Sequence, residues 1–251
     1  AVEGVLLSSD LVPHLLAPLQ LEDGAAAAVC SRWAEGWKAT SEGRRRLRKV
    51  ALDFPGDLLS ENSLSLAVVP GGDEQLVVRS GTTARILARD MSTVSSFELP
   101  SSYGGVAASE EFIYATHRFE HITSLTHNGT EVAKYDDPDK YIAFPVLAPD
   151  GLLFCVLFDF NDDSAQDEIV ALDAQTLQPR YRFGLSLLNY VRGMLVVVGE
   201  ELFVCETGND RLQVFSLAGE HRRSITGEWK RPETLCFVKD RLYLVEEVDY
   251  D

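Results

Sequence analysis

The sequence predicts a mainly β protein, a β-propeller of four to six blades, with a small α-helical unit in front of it. Three observations carry this. A short, mostly apolar run recurs as Leu76-Val77-Val78-Arg79, Phe112-Ile113-Tyr114-Ala115, Leu152-Leu153-Phe154-Cys155, Leu202-Phe203-Val204-Cys205 and Leu242-Tyr243-Leu244-Val245, with starts 36, 40, 50 and 40 residues apart. A period near 40 built from short strands is that of four-stranded blades repeated around an axis. The step from the end of the run to the next strand also recurs. It is seven residues from Arg79 to Ile86, Ala115 to Ile122 and Cys205 to Leu212, and fourteen from Cys155 to Ile169. Third, the first fifty residues lack strand patterning and carry helical stripes instead.

Composition sets the class. The chain has 251 residues, is 45% hydrophobic and 25% charged, and contains no stretch of about 18 apolar residues that would make a membrane-spanning helix. No secretory h-region is seen, and the chain begins without Met, as a fragment would. The net charge of −16 is distributed unevenly: residues 1–50 hold seven Lys/Arg against six Asp/Glu, so all of it falls on residues 51–251. An acidic blade region repels phosphate backbones, which argues against nucleic acid as partner. The four cysteines stand singly, three of them inside apolar runs, and are expected as reduced buried thiols, with one disulfide as the alternative. A cytoplasmic or nuclear location is the expectation that follows.

In residues 5–50, Ser8 or Ser9 can cap a first helix that Pro18 ends, with Leu11, Leu15 and Leu16 on one face. Asp23 can cap a second, in which Val29, Cys30, Trp33 and Trp37 form a stripe behind the strong helix formers Ala25 to Ala28. A third short helix carries the basic run Arg44 to Lys49, read as a solvated face. A unit this small buries little surface alone, so its apolar residues must dock on something. The succession Leu7, Asp10, Leu11, Leu15, Leu16, Leu19, Asp23 and then Val29-Cys30-Ser31-Arg32-Trp33 resembles an F-box. It departs from that pattern at Ser8 in place of Pro, at Pro13 inside the first helix, and at Gly24 after Asp23. The resemblance implies a Skp-type adaptor of cullin–RING ubiquitin ligases as partner, with Leu7, Leu11, Leu15, Leu16, Leu19, Val29, Cys30 and Trp33 at the shared interface or supporting it. The alternative is a helical cap packed on the propeller.

Residues 60–251 are expected to hold four blades and part of a fifth. The longer step in the third copy reads as a seven-residue loop insertion near Asp159 to Asp167. Turns recur at His127-Asn128-Gly129 and Leu217-Ala218-Gly219, where Asn-Gly suits a hairpin because both residues tolerate positive φ. The last copy ends where its third strand is due. A ring must close to remove its sheet edges, so either the natural chain continues to six blades or residues 51–60 supply a closing strand. Around Thr207-Gly208-Asn209 and Arg211-Leu212-Gln213-Val214-Phe215 the fourth copy resembles the core of an NHL repeat; the other copies keep only its apolar skeleton.

Catalytic signals are sparse. His117 and His121 are four apart, a metal spacing on a helix but not across a strand turn. The chain has no Gly-rich phosphate loop, nucleophile elbow or CxxC pair. The acidic clusters at Asp136-Asp137-Asp139, at Asp159, Asp162 and Asp163, and at Glu246-Glu247-Asp249 read as solvated loops, with no cofactor expected. Antiparallel succession puts the turns between second and third strands and the connections between blades at one end of the disc. His117, Arg118, Phe119, Phe160, Asp162, Asn209, Asp210 and Arg211 gather there as a face for an unknown target protein, with Phe158 beside Phe160 in the insertion. The plainer reading has Asn209 and Arg211 bracing their own turn and the phenylalanines in the core. The resulting expectation is a non-catalytic, substrate-recruiting ligase subunit. Its rivals are an NHL scaffold with no ligase link and a metal-dependent propeller hydrolase or lyase.

Overall fold

The protein is described by a computed structural model covering residues 64–71, 75–159, 166–238 and 241–246. The helical unit expected at 5–50, its adaptor-facing residues, and Phe160 and Asp162 lie outside the described residues.

Among the described residues, eighteen strands run in chain order through four antiparallel four-stranded sheets and one two-stranded sheet. The first sheet holds β1 (Leu64–Val68), β2 (Leu76–Ser80), β3 (Thr83–Leu87) and β4 (Thr93–Glu98); the second holds β5 (Val106–Ala108), β6 (Phe112–His117), β7 (His121–Thr126) and β8 (Glu131–Asp136). The third comprises β9 (Tyr141–Leu147), β10 (Leu152–Phe158), β11 (Gln166–Asp173) and β12 (Pro179–Asn189). The fourth comprises β13 (Leu195–Val198), β14 (Glu201–Glu206), β15 (Arg211–Ser216) and β16 (His221–Thr226), and the last pairs β17 (Pro232–Val238) with β18 (Arg241–Glu246). This is the arrangement of four propeller blades plus a hairpin. The five runs aligned in the sequence are the second strands β2, β6, β10, β14 and β18.

Burial follows position within the blade. Second strands are flanked by a strand on each side and packed on both faces, so β2, β6, β10 and β14 leave only their first residue half-buried. Outer strands β4 and β8 alternate exposed and half-buried residues, the period of a strand with one wet face. Between blades the apolar side chains interlock in successive clusters: Val77, Ile86, Ile113 and Leu125 between the first two, Tyr114, Ile122, Cys155 and Val170 between the second and third, and Phe154, Ile169, Val204 and Phe215 between the third and fourth.

The turn from third to fourth strand needs a residue at positive φ, which is glycine in the second and fourth blades. Gly129 and Gly219 sit at φ 86° and 85°, and each blade's ladder slips by a bulge just before this turn. Met91 holds the corresponding place in the first blade at φ 67°, and Leu177 in the third at φ 54°. The glycines have a second duty. A Cβ on Gly129 would lie 2.6 Å from the Phe97 ring, and one on Gly219 would lie 2.8 Å from the Phe183 ring. An aromatic on the outer strand of one blade therefore rests on the turn of the next. Gly151 has a similar φ, 84°, with nothing within 4 Å of its would-be Cβ. Gly151→Ala is expected to cost about 1 kcal/mol for left-handed backbone alone. Gly129→Ala is expected to cost about 2 kcal/mol or more, because it also overpacks Phe97. Urea denaturation of both variants checks this, and equal costs would show that Phe97 yields freely.

Two expectations change. Cys155 and Cys205 are buried, and burial pushes the Cys205 thiol up to about 12. Cys236, read as a core thiol, is exposed, because it lies in the two-stranded sheet. The insertion is also shorter at its far end: β11 begins at Gln166, so Asp167 is a buried strand residue rather than part of a loop. Among the described residues no helix is long and apolar enough to cross a membrane.

Candidate functional site: the connection face

The turns after the second strands and the connections between blades lie together, as the antiparallel succession requires, and polar side chains buried at the strand ends bind one to the other. In the first blade this is Arg79, wholly buried among carbonyls. Its guanidinium donates to Thr116 O at 2.6 Å, Ser101 O at 2.8 Å, Tyr103 O at 2.8 Å and Gly81 O at 3.4 Å. Among the described residues no carboxylate partners it, and burial lowers its pKa to about 10. Gly104 is required beside it, since a Cβ there would sit 2.6 Å from Arg79 Nη1 and 2.0 Å from Thr116 O. The connection from first to second blade is thus clasped onto both.

In the second blade His117 ends β6 and is 2% exposed. Its Nε2 shares a hydrogen bond with Thr123 Oγ1 at 2.7 Å, and its Nδ1 has no partner among the described residues. Its ring stacks on His121 at 4.9 Å between centroids. Burial, followed by the charges of His121, Arg79 and Lys134, lowers its pKa to about 4, so it is neutral at pH 7. The turn beyond it puts Arg118 and Phe119 at φ 51° and 65°, a type I′ geometry that normally selects Asn-Gly. Two contacts hold Phe119 there: its carbonyl accepts the Ile142 N–H at 2.6 Å, and its ring meets Phe158 edge-on at 5.7 Å. Phe158 is itself core. Arg118 and Tyr103 are exposed on the surface beside this turn, the latter at 57%.

In the third blade Asp167 accepts the Val191 N–H at 2.5 Å and lies 3.5 Å from the Arg192 guanidinium. Desolvation nonetheless raises its pKa, and the neighbouring Glu206 charge adds to that. Arg192 lies over the rings of Phe158 and Tyr190, at 4.5 and 4.4 Å. Asp137, from an acidic cluster read as solvated, is also pinned: it accepts from Tyr135 Oη at 2.9 Å, from Arg182 at 2.5 Å and from the N–H groups of Asp139 and Lys140. Those contacts tie the second blade to the third, and burial with the Asp137 charge pushes the Tyr135 hydroxyl up to about 12.

In the fourth blade Glu206 is fully buried at the end of β14. Its carboxylate accepts from Arg211 Nε at 2.5 Å, Asn209 Nδ2 at 2.5 Å, Gln213 Nε2 at 2.9 Å and the Asn189 N–H at 3.1 Å. Asp210, left-handed at φ 51°, accepts the Arg231 N–H at 2.6 Å, and Thr207 Oγ1 donates to Pro232 O at 2.9 Å. Asn209 and Arg211 therefore brace their own turn.

Of the residues placed on this face from sequence, Arg118, Asn209 and Asp210 are exposed, Phe119 and Arg211 half-buried, and His117 buried. Sequence reasoning passed over Arg79, Arg192 and Glu206, and took Asp167 as part of the loop insertion. One signal was present: Arg79 and Glu206 are charges directly after the apolar runs Leu76-Val77-Val78 and Leu202-Phe203-Val204-Cys205. Among the described residues no three His, Cys, Asp or Glu side chains converge as metal ligands.

No protein-family model matches the chain, and no curated protein matches it in sequence. In fold it is similar to a protein of unknown function from Bacteroides caccae, with a TM-score of 0.51 and 13% identity over 67% of this chain and 63% of that one. A functionally unknown protein from Desulfotomaculum acetoxidans DSM 771 gives a TM-score of 0.58 and 15% identity over 75% of this chain and 64% of that one. A chain of a nidogen/laminin complex gives 0.59 and 17% over 74% and 73%. The chain spans less than two thirds of the length of the first two. Identities this low speak for the propeller fold alone.

Proposed function

We propose that this protein is a non-catalytic recruiting subunit of a cullin–RING ubiquitin ligase. Its F-box-like segment binds a Skp-type adaptor, and its NHL-like propeller holds a target protein. The observation that carries this reading is Val29-Cys30-Ser31-Arg32-Trp33, in register with the leucines from Leu7 to Leu19 and Asp23. An apolar helical stripe laid into a groove is a general mode of recognition. The propeller adds support: its connection face combines the exposed Tyr103 and Arg118 with backbone that Arg79, Asp167 and Glu206 hold rigid, and rigid aromatic and arginine side chains are good anchors. Its catalytic contribution is proximity, holding a target lysine near the charged ubiquitin carrier.

The test is co-purification of residues 1–251 with the Skp adaptor, beside the double variant Leu11→Asp/Trp33→Ala. Capture by the wild type, and loss of it in a variant that keeps its β-rich circular dichroism, is the expected result. Failure of a well-folded wild type to capture the adaptor would overturn the ligase reading and leave a propeller scaffold.

A further inference from the structure

The chain has a single Asn-Gly step, Asn128-Gly129, in the turn from β7 to β8. Asn128 and Thr130 are exposed there, and Gly129 is half-buried. A glycine carries no side chain to screen its own nitrogen, so the preceding side chain can approach that nitrogen closely. The Asn128 carboxamide is held in an unusual way. Its Oδ1 accepts from the Thr126 hydroxyl, from the Thr130 hydroxyl at 3.1 Å and from the Thr130 N–H at 3.4 Å.

Donors converging on one carbonyl oxygen stabilise the negative charge that forms there when a nucleophile adds to the carbonyl carbon. The nucleophile nearest along the chain is the Gly129 nitrogen, and its addition to Asn128 Cγ closes a succinimide ring. One contact opposes the step. The Gly129 N–H donates to Thr126 O at 2.9 Å, and that bond must open before the nitrogen can attack. It lies in a surface turn, where such openings cost least.

We propose that Asn128 is a self-modification site, at which the turn's own hydroxyl groups promote conversion of the asparagine to aspartate and isoaspartate. The Gly129 nitrogen bonds to Asn128 Cγ and gives up its proton; the Cγ–Nδ2 bond breaks, and Nδ2 takes up a proton and leaves as ammonia. Water then opens the succinimide at either carbonyl, so one water is consumed, one ammonia is released and no electrons change hands. Aspartate keeps the backbone and the acceptor oxygen. Isoaspartate instead lengthens the main chain by one methylene just before Gly129. That glycine is seated so closely on Phe97 that a Cβ would lie 2.6 Å from the ring, and the adjoining His127 O accepts from Ser95 Oγ at 2.9 Å. The isomer therefore loosens the second blade from the first, at the end of the disc away from the connections. Nothing in this step depends on the ligase reading.

The test is to age residues 1–251 at neutral pH in water carrying heavy oxygen, then follow the tryptic peptide Phe119–Lys134 by mass spectrometry and isoaspartyl methylation. Asn128 is expected to convert with uptake of heavy oxygen, while Asn189 and Asn209, followed by Tyr190 and Asp210, do not. Thr130→Ala removes one hydroxyl donor and is expected to slow the conversion several-fold in the folded protein. Thr130→Ser keeps that hydroxyl and is expected to keep the wild-type rate. In urea, where the turn is gone, the wild type and Thr130→Ala are expected to convert alike. No conversion at Asn128 overturns the proposal. So does a folded Thr130→Ala that converts as fast as the wild type or faster, since the dipeptide alone would then set the rate. Urea midpoints read the consequence: aged wild type is expected to fall below its fresh sample, and Asn128→Ser to stay level with its own. An equal fall in both would remove the isomer as the cause.

Discussion

Glu206→Ala is expected to remove about 3–5 kcal/mol of stability, a large share of the roughly 5–15 kcal/mol that holds a domain folded. The carboxylate is fully buried and gathers four donors from three pieces of chain: Asn189 at the end of β12, Asn209 in the turn, and Arg211 and Gln213 on β15. Its removal leaves the Arg211 guanidinium half-buried without its anion and Gln213 buried without its acceptor. Leaving a buried donor unmatched costs more than the net worth of the hydrogen bond, because the desolvation is not refunded. Arg211→Ala in the same background should recover part of the loss, since the stranded charge goes with it. Urea denaturation of the single and double variants measures both. A cost below about 1 kcal/mol for Glu206→Ala, the range of a surface contact, would show that the turn is held by its backbone alone.

Acidification is expected to weaken the protein through His117. Its pKa in the fold is about 4 against an ordinary 6.5, chiefly because burial disfavours the charged ring. A folded pKa below the unfolded one means that the unfolded chain takes up the proton first. The contribution is therefore fully present above pH 6.5, falls as pH drops through 6.5 toward 4, and is gone below. A shift of this size amounts to roughly 3 kcal/mol at 1.36 kcal/mol per unit. The proton would arrive beside the Arg79 and Lys134 charges, which adds to the penalty. His117→Gln keeps an amide to meet Thr123 Oγ1 but does not titrate. Denaturation midpoints from pH 7 to pH 4 should fall more steeply for the wild type than for this variant, and parallel curves would remove His117 as the cause. His121, whose ring lies tilted against it, also has its pKa lowered by burial and acts in the same sense, so His121→Gln is measured beside it.

The blade plan was legible because it rests on a local rule. A second strand is packed on both faces, so it must be apolar along its length, and five such runs stand out at a regular spacing. Turn glycines such as Gly129 and Gly219 were legible for a related reason, since positive φ restricts residue choice at the position itself. Their service as seats for Phe97 and Phe183 was not, because it depends on what the preceding blade brings against them. The connection face divides the same way. Its location follows from strand direction, and Asn209 and Arg211 were placed on it from sequence. That Asp137 is a buried anchor while Asp136 and Asp139 of the same cluster are exposed was hidden, because charge type does not tell what lies opposite.

By itself, then, the sequence determined the period, the meander and the end of the disc at which the connections gather, all properties of the chain within one repeat. Only the tertiary structure decided which polar side chains are sealed between repeats, how Arg79 and Glu206 find their partners, and that β18 is left half-exposed. Those depend on neighbours far apart in the chain, and a buried polar group is defined by its partners rather than by its type.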